Sequence, residues 1–498
     1  MCCEGDIDMT ANQSIVPEPV GRSAWLAVSA MFLATGLLYL LYWTPYGIDD
    51  PWITYRYAEN LASGAGFVYN AGERVLGTST PLYTLILAGA DLLGLSVPHA
   101  SWVIGGLSAG AALLLVFLLV RRLHTEGAAV LAVALLASAT LFHRGATWGM
   151  ETPLYTALIL GVFVAYASGR DLLAAFLAGL CLVARLDGAA VGAALFAVHV
   201  VSRRELPLRP GLVFLATVAP WFLFSLLYFG SLSPNSMSAK QLHTGNRLLF
   251  WMPGWLIKEP RAWLAGIGAL VLVATPRARV TAALPLAWAA LYVVAYTFAR
   301  IHPYDWYYIP LLPVLAAFAA VGVLSVAEWA GRRWRAPSSV RWLAALLIAT
   351  LLLPDALRTA RRLRGDEGEL GLERLRYEAA LWMRDSLPAG VPIASGGIGI
   401  IGYYNDRVIR DAMGLVSPEV ARLTEPVENP RYMPYARFIG AVIEDYEPEY
   451  FFDGLWLEPG EDAPPPMQGK YERVREWRGE DPRWPPFILY RRLDPDGR

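Results

Sequence analysis

The sequence predicts a polytopic α-helical membrane protein that ends in an α/β domain, and three observations support this fold class. Of the 498 residues, 55% are hydrophobic and 17% are charged, whereas soluble proteins carry about 25% charged residues. Many segments approach the ~20 apolar residues that cross a bilayer. Arginine accumulates in alternate loops, which is typical of cytoplasmic loops between transmembrane helices.

We predict about eleven transmembrane helices, the first of which is long enough to remain as a helix rather than act as a cleaved signal peptide. They cover residues 24–43, 100–120, 127–142, 152–168, 171–184, 187–202, 211–229, 262–275, 279–298, 307–326 and 341–357. Residues 81–97 are also apolar. Counting them as a span would place Arg121 and Arg122 outside, so we expect them to lie along the outer face or to dip into it.

The arginine-rich loops set the predicted orientation. They contain Arg22, Arg121, Arg122, Arg170, Arg203, Arg204, Arg209, Arg277, Arg279, Arg332, Arg333 and Arg335. Residues 1–23 then form a cytoplasmic N-terminal tail and residues 24–357 the transmembrane domain, with an outer loop at 44–99. Residues 358–498 form an extracytoplasmic domain, and the predicted location of the protein is the plasma membrane.

This last domain combines a helix with short strands. The segment "LGLERLRYEAALWMRDSL" reads as an amphipathic helix that ends before Pro388, and five short strands follow. They are "VPIASG", "RVIRDA", "PEYFFDG", "KYERVREW" and "FILYRR". The segment "GGIGIIG" at 396–402 matches a dinucleotide fingerprint, but Asp411 follows too soon for its acidic partner. We therefore expect close backbone packing there.

Composition argues against two classes of function. The net charge of −1 gives no basic field for nucleic acid. Cys2, Cys3 and Cys181 form no disulfide framework, and the histidines lack metal-ligand spacing. We predict no metal site and no cofactor, although the sequence leaves a divalent metal open.

The polar residues of the predicted outer face concentrate in five segments, which suggests a site there. These are 44–80, 142–155, 184–188, 228–243 and 299–308. Asp49 and Asp50 follow the first span directly, and ionisable groups at membrane depth are costly, at about 2.5–3.5 kcal/mol each at a helix centre. Two neighbouring carboxylates also raise one pKa, which suits a general base.

Each candidate has a purely structural interpretation as well. Asp49 or Asp50 before Pro51 is typical of a helix N-cap, and Glu151 stands at a similar helix start. Arg185 and Asp187 can form an ion pair that closes a tight turn. The remaining structural interpretations are an interfacial aromatic belt around His302 and simple solvation of Lys240.

The stretch "DDPWITYRYAENLASGAGFVYNAGERVLGTSTPLYTL" resembles the first outer loop of the GT-C membrane glycosyltransferases. It looks most like that of the terminal β-arabinofuranosyltransferases of the mycobacterial cell wall. Four further segments resemble that family in order, namely "WGMETPLY", "ARLDG", "YFGSLSPNSMSAK" and "GIIGYYNDRVIRDAMGLVSPE". After "GERV" the family often continues with an acidic residue and an aromatic–Asn pair, where this chain has Leu76 and Ser79-Thr80.

The resemblance implies a polyprenyl-phosphate donor carrying one sugar, inversion at the anomeric carbon, and a glycan acceptor at the lipid bilayer. Asp49 aligns best with the family's base, and Asp50 would orient the acceptor or share the proton. Cationic and hydrogen-bonding groups would hold substrate and phosphate. The candidates are Arg56, Tyr57, Glu73, Arg74, Glu151, Arg185, Asp187, Asn235, Lys240, Arg300, His302 and Tyr307.

The predicted function is therefore transfer of a single sugar, with arabinofuranose as the candidate, to a cell-envelope glycan on the outer face. An alternative within the fold is a mannosyl- or aminoarabinosyl-transferase that acts on protein or lipid. An alternative from another class is a transporter or flippase of lipid-linked sugars, although the sequence shows no paired internal repeats. An outer-domain sensor would leave the carboxylates unexplained.

Overall fold

The computed structural model describes most of the chain, and its first two thirds are almost entirely helical. The described residues are 20–244, 250–298, 302–334, 337–363, 369–422, 442–444, 446–454, 463–464, 467–480 and 485–493. The helices before the C-terminal domain are α1 (Arg22–Tyr42), α2 (Asp50–Ala62), α3 (Pro81–Leu92), α4 (Val97–Leu123), α5 (Glu126–Ala137), α6 (Thr140–Thr147), α7 (Thr152–Ala167), α8 (Asp171–Ala184), α9 (Ala189–Arg203), α10 (Leu208–Phe229), α11 (Asn235–Thr244), α12 (Trp251–Lys258), α13 (Pro260–Ala274), α14 (Pro276–Phe298), α15 (Leu312–Trp334) and α16 (Pro337–Leu363).

A helix lies at each of the eleven predicted spans, and the chain is a multi-pass membrane protein. Six helical segments of the described chain are long and apolar enough to cross a membrane, namely Arg22–Tyr42, Val97–Leu123, Leu186–Arg203, Leu208–Phe229, Pro276–Phe298 and Asp305–Arg333. Helices α5 and α6 are together long and apolar enough to cross a membrane, but the pair is bent by 61°. The exact number of crossings stays a prediction.

Helix α3 is too short to cross a bilayer by itself. Its 12 residues correspond to about 18 Å of helix, compared with the ~30 Å of a hydrocarbon core. The helix packs against α2, α4 and α8. This agrees with the prediction that residues 81–97 do not form a full span, while their depth stays a prediction.

The membrane domain buries one large apolar core and exposes apolar side chains outward. Helices α4, α5, α7, α13 and α15 pack closely around this core. The outer faces of the bundle expose Leu33, Leu215, Leu227 and Leu270, each by more than half. Large exposed apolar patches mark membrane or protein contacts. The distribution is the one a lipid-embedded bundle requires.

The C-terminal domain is a five-stranded mixed sheet with helices, at the positions that the sequence predicts. Its elements are α17 (Glu369–Ser386), β1 (Ile393–Ser395), α18 (Gly399–Tyr404), β2 (Ile409–Asp411), α19 (Pro418–Arg422), β3 (Tyr450–Gly454), β4 (Tyr471–Trp477) and β5 (Phe487–Arg492). The strand order is β2-β1-β3-β5-β4, in which β1 pairs in parallel with β2 and β3, and β5 pairs antiparallel with β3 and β4.

The loop at 44–99, which is predicted to be the first outer loop, and the C-terminal domain share a second apolar core. Trp52, Tyr57 and Phe67 from the loop segment belong to one buried cluster with Ile400 and Val416 from the domain. Burial of such large side chains contributes about 1.5–3 kcal/mol each. The domain is therefore docked on the loop that bears Asp49 and Asp50.

Candidate active site

A polar cleft opens where the start of α2 meets four of the predicted outer segments and the C-terminal domain. The residues that line it are Asp50, Pro51, Ile53, Thr54, Gly77, Thr78, Ser79, Thr80, Met150, Glu151, Arg185, Ser236, Trp306, Tyr307 and Leu415. Of the sequence-predicted site residues, the structure brings together Asp50, Glu151, Arg185 and Tyr307 here. Residues far apart in the chain therefore form one site.

Asp50 is the first residue of α2 and is followed by Pro51. Proline suits this position because its missing N–H would have no intrahelical partner there. The partial positive charge at a helix N-terminus favours an ionised carboxylate. Local sequence thus places a carboxylate at the wall of the cleft.

Asp49 precedes Asp50, yet its carboxylate serves a different structure. It accepts hydrogen bonds from the backbone N–H groups of Gly399, at 3.0 Å, and Ile400, at 2.8 Å. Arg376 lies 3.8 Å from the same carboxylate. Asp49 occupies the N-cap position of α2 but makes no side-chain cap bond to that helix, so the interpretation of Asp49 as a side-chain cap of α2 is wrong. Asp49 instead satisfies the N-terminus of α18.

Arg185 is the centre of a buried charged network at one side of the cleft. Its guanidinium contacts Glu151 at 2.6 Å and Asp187 at 3.1 Å, and it donates to the Tyr296 hydroxyl at 3.2 Å. The predicted ion pair of Arg185 with Asp187 is confirmed, and it closes the turn between α8 and α9. Glu151 makes no side-chain cap bond to α7; it pairs with Arg185.

The network has a formal charge of −1, because one guanidinium faces two carboxylates. Arginine has five N–H donors. Four of these are occupied by Glu151, Asp187 and Tyr296. Counting contacts to described residues only, Arg185 therefore retains one N–H, and its partners orient it firmly.

Arg56 lies outside the cleft and joins the loop to the C-terminal domain. It donates to the backbone carbonyls of Tyr69 at 2.8 Å, Gly402 at 2.5 Å and Arg407 at 2.7 Å. The bonds to Gly402 and Arg407 join residues that are 346 and 351 positions apart in the sequence. The guanidinium of Arg56 binds backbone carbonyls that hold the C-terminal domain against the loop. This differs from its predicted role in phosphate binding.

The other candidates of the first loop also make structural contacts rather than line the cleft. Tyr57 donates to the Val75 carbonyl at 2.7 Å, Glu73 pairs with Arg410 at 2.8 Å, and Arg74 lies 4.6 Å above the Tyr228 ring. These interactions hold the loop in shape and anchor it to β2.

Asn235 contributes to the cleft indirectly. Its side-chain amide donates to the backbone carbonyls of Gly414, at 2.5 Å, and Leu415, at 3.1 Å. The bonds hold the turn after β2 against the cleft, so that Leu415 forms part of the wall. Asn235 is therefore a positioning residue for the domain's contribution.

Of the other predicted phosphate ligands, the structure describes only the side chain of His302. His302 is exposed and is not among the lining residues; partial desolvation of its ring lowers its pKa from the ordinary value. Its ring lies 4.7 Å from that of Tyr304, which agrees with the aromatic-belt interpretation. The side chain of Lys240, and Arg300 altogether, lie outside the described residues.

Several lining residues were missed by sequence reasoning. They are Thr54, Thr78, Thr80, Ser236 and Leu415. The run Thr78-Ser79-Thr80 directly after "GERVLG" was the available signal. Within the described part of the chain, no group of three or more His, Cys, Asp or Glu side chains is arranged to hold a metal ion.

The glycine-rich segment 396–402 serves close packing, as the sequence predicts. A Cβ at Gly399 would overlap the backbone of Asp49, and a Cβ at Gly402 would overlap the Tyr69 hydroxyl. Glycine is needed where two backbones approach so closely. The segment is the surface by which the domain meets the Asp49–Asp50 loop.

The fold of this chain is similar to that of several solved membrane proteins. Residues 364–490 match the family model of a domain of unknown function, DUF8728. No curated protein matches the chain. Among solved structures, ArnT from Cupriavidus metallidurans bound to undecaprenyl phosphate has a TM-score of 0.60 at 15% identity, covering 94% of this chain and 98% of that one.

Two other glycosyltransferases share the architecture. The Archaeoglobus fulgidus oligosaccharyltransferase AglB, in complex with an inhibitory peptide and a dolichol-phosphate, has a TM-score of 0.57 at 12% identity, covering 87% of this chain and 69% of that one. The arabinofuranosyltransferase AftD from Mycobacteria has a TM-score of 0.50 at 14% identity and covers 96% of this chain, which spans 40% of AftD.

These neighbours define the class of fold. All three are GT-C glycosyltransferases, and the chain has the GT-C membrane fold with a small C-terminal sheet domain. The predicted fold class is thereby confirmed.

Proposed function

We propose that this protein is an inverting glycosyltransferase that moves one sugar from a polyprenyl phosphate to a cell-envelope acceptor on the extracytoplasmic face. The observation that carries the proposal is Asp50, which lines a polar cleft beside the Glu151–Arg185 pair within a GT-C fold. The solved ArnT and AglB complexes, with undecaprenyl phosphate and dolichol-phosphate respectively, support a lipid-phosphate donor.

In the proposed reaction, Asp50 is the general base. Its carboxylate takes the proton from an acceptor hydroxyl, and the acceptor oxygen forms a bond to the anomeric carbon. The bond from that carbon to the phosphate oxygen breaks on the opposite face, and the polyprenyl phosphate leaves with the electron pair. A positioned base contributes about 10²–10⁴-fold to such a step.

We assign the base role to Asp50. The sequence resemblance favours Asp49 instead. The Asp49 carboxylate accepts two backbone N–H bonds from α18, and protonation during turnover would weaken both. Asp50 has its side chain at the cleft wall, where an acceptor can approach. A base must come within hydrogen-bond reach of the proton that it removes.

The leaving phosphate needs positive charge in the same cleft. Arg185 would offer its remaining N–H, while Glu151 and Asp187 orient the guanidinium. Lys240 and Arg300 stay our candidates for further cations. Arg56 and Arg74 are omitted from the set, since their guanidinium groups are engaged in docking and in the Tyr228 contact.

The closing experiment is a transfer assay with purified protein in liposomes. The donors would be polyprenyl phosphates carrying arabinofuranose, mannose or 4-amino-arabinose, with cell-envelope glycan and lipid acceptors supplied in turn. We expect one donor to be used, and Asp50→Asn to lose at least about 10²-fold in kcat. Asp406→Asn, at an exposed position, is the matched control. Full activity of Asp50→Asn would exclude Asp50 as the base.

A further inference from the structure

Three threonine hydroxyls meet at one wall of the cleft. The Thr54 Oγ1 atom lies 3.4 Å from that of Thr78 and 3.2 Å from that of Thr80. The Thr78 and Thr80 hydroxyls are 3.1 Å apart. All three residues are buried within the fold yet line the cleft, and exposed Ser79 lies between the last two. We call Thr54, Thr78 and Thr80 the threonine cluster.

The cluster is not explained by helix capping. Thr80 occupies the N-cap position of α3, where a threonine hydroxyl ordinarily accepts a bond from the first turn of the helix. Here Thr80 makes no such bond. Its hydroxyl lies with Thr54 and Thr78 instead, so that a stabilising contact of the helix is given up in favour of a hydroxyl cluster at the cleft.

The threonine cluster has more hydrogen-bond acceptor sites than donors. Each hydroxyl has one donor and two acceptor lone pairs, so the cluster has three donors and six lone pairs. The three mutual contacts occupy three donors and three lone pairs when every hydroxyl donates within the cluster. The Thr80 N–H, 3.3 Å from the Thr78 hydroxyl, takes one more. In that arrangement, and counting only contacts between described residues, two lone pairs remain for an outside donor.

The ligand that matches this surplus is a neutral donor of hydrogen bonds. Phosphate is an acceptor and would find no partner in the spare lone pairs, whereas a carbohydrate hydroxyl can donate to them. The same cleft also holds the charged Glu151–Arg185 pair. The cleft thus combines neutral hydroxyl groups with a charged pair, as the two ends of a phosphate-linked sugar require.

We propose that the threonine cluster is the specificity-determining wall of the cleft and binds carbohydrate hydroxyls, an inference that rests on the glycosyltransferase function proposed above. The hydroxyls come either from the sugar of the donor or from the acceptor glycan. Sites that hydrogen-bond a substrate hydroxyl strongly disfavour an analogue that lacks it, because buried polar groups of the protein are then left unpaired.

The test compares Thr78→Val plus Thr80→Val with Thr78→Ser plus Thr80→Ser. Valine keeps the shape and removes both hydroxyls, whereas serine keeps the hydroxyls. The control is Thr84→Val, because Thr84 is buried one turn along α3, donates only to the Thr80 carbonyl, and does not line the cleft. Thermal unfolding of each variant is measured beside the KM values for donor and acceptor, and the Kd for undecaprenyl phosphate without sugar is measured separately.

We expect the valine variant to raise one KM by about tenfold, which is the effect of about one lost hydrogen bond. A rise for the donor, with unchanged Kd for undecaprenyl phosphate, assigns the cluster to the donor sugar. A rise for the acceptor alone assigns it to the acceptor glycan. The serine variant should stay within about twofold of the original protein.

Other outcomes would overturn the proposal. Unchanged KM values in a folded valine variant exclude carbohydrate binding by the cluster, and leave the transferase function standing. Weaker binding of undecaprenyl phosphate itself would identify a phosphate or lipid contact instead. If the valine variant does not fold, a serine variant with altered KM values contradicts the proposal. Absence of sugar transfer by the unaltered protein removes the proposed function and this inference together.

Discussion

The two neighbouring aspartates differ in what their carboxylates contact. Asp50 lines the cleft, while Asp49 accepts the N–H groups of Gly399 and Ile400. An asparagine at position 49 can replace only one of the two acceptor oxygens, because its NH₂ group is itself a donor. The pair therefore separates a proposed chemical role from a docking role within two adjacent positions.

Asp49→Asn should destabilise the protein more than it impairs chemistry. One backbone N–H of α18 loses its acceptor, which costs about 1–3 kcal/mol when the group is buried. We expect a lower Tm in detergent, with kcat reduced less than in Asp50→Asn when both are assayed well below their Tm. Wild-type stability together with a loss of transfer as large as that of Asp50→Asn would return the base role to Asp49.

Among the structural elements, the contact of the first outer loop with α18 decides how the site is assembled. Arg56, Asn70 and Tyr69 of the loop all bond to backbone groups of the C-terminal domain. The glycines of α18 allow the two backbones to approach. The loop and the domain consequently form one unit, and the shape of the cleft depends on both.

Gly402→Ala should loosen this contact. The added Cβ would overlap the Tyr69 hydroxyl and lie 3.0 Å from an Arg56 nitrogen, so the loop must shift. We expect a lower Tm and faster amide hydrogen exchange at Asn70 and Ile409. Gly371→Ala is the matched control, because a Cβ there meets nothing within 4 Å and helical alanine is favoured over glycine. Equal effects of the two substitutions would contradict close packing at Gly402.

Helix α17 adds a pH-dependent term to the stability of the domain. Burial raises the pKa of Glu373 to about 7, although the neighbouring Arg376 opposes the shift. The native state therefore binds this proton more tightly than the unfolded chain does. The contribution of protonated Glu373 is complete below about pH 4.5 and is lost as the pH rises through about 7.

This sign can be tested with Glu373→Gln. The Tm at pH 5 minus the Tm at pH 8 should be smaller in the variant than in the original protein, because glutamine cannot take up the proton. Thermal unfolding at both pH values measures it, and Glu378→Gln on the exposed side of α17 is the control. An unchanged pH dependence would show that Glu373 does not titrate in this range.

For the whole molecule, the orientation in the membrane is the open structural prediction. The arginine-rich loops should be cytoplasmic and the C-terminal domain extracytoplasmic. In a background with Cys2 and Cys3 replaced by serine, Lys470→Cys should react with a membrane-impermeant thiol reagent in intact cells. Glu205→Cys should not. Both positions are exposed, and Cys181 is buried. Reaction at 205 alone would place the cleft on the cytoplasmic side.

Much of the fold could be predicted because its signals are local. Hydropathy located the helices, and short segments with apolar or aromatic residues located strands β1 to β5. The Arg185–Asp187 turn was predictable for the same reason, since its two partners are two residues apart. A contact of such short range is encoded in the segment that forms it.

The sequence by itself determined a helical membrane bundle, a C-terminal sheet domain and the positions in the chain of the polar segments, which we predict to lie outside. The tertiary structure decided which of these residues face the cleft. Asp49 and Arg56 bond to groups about 350 residues away, and the threonine cluster joins residues from α2 and the loop before α3. Side-chain roles of this kind depend on distances between distant segments, and those distances exist only after the chain has packed.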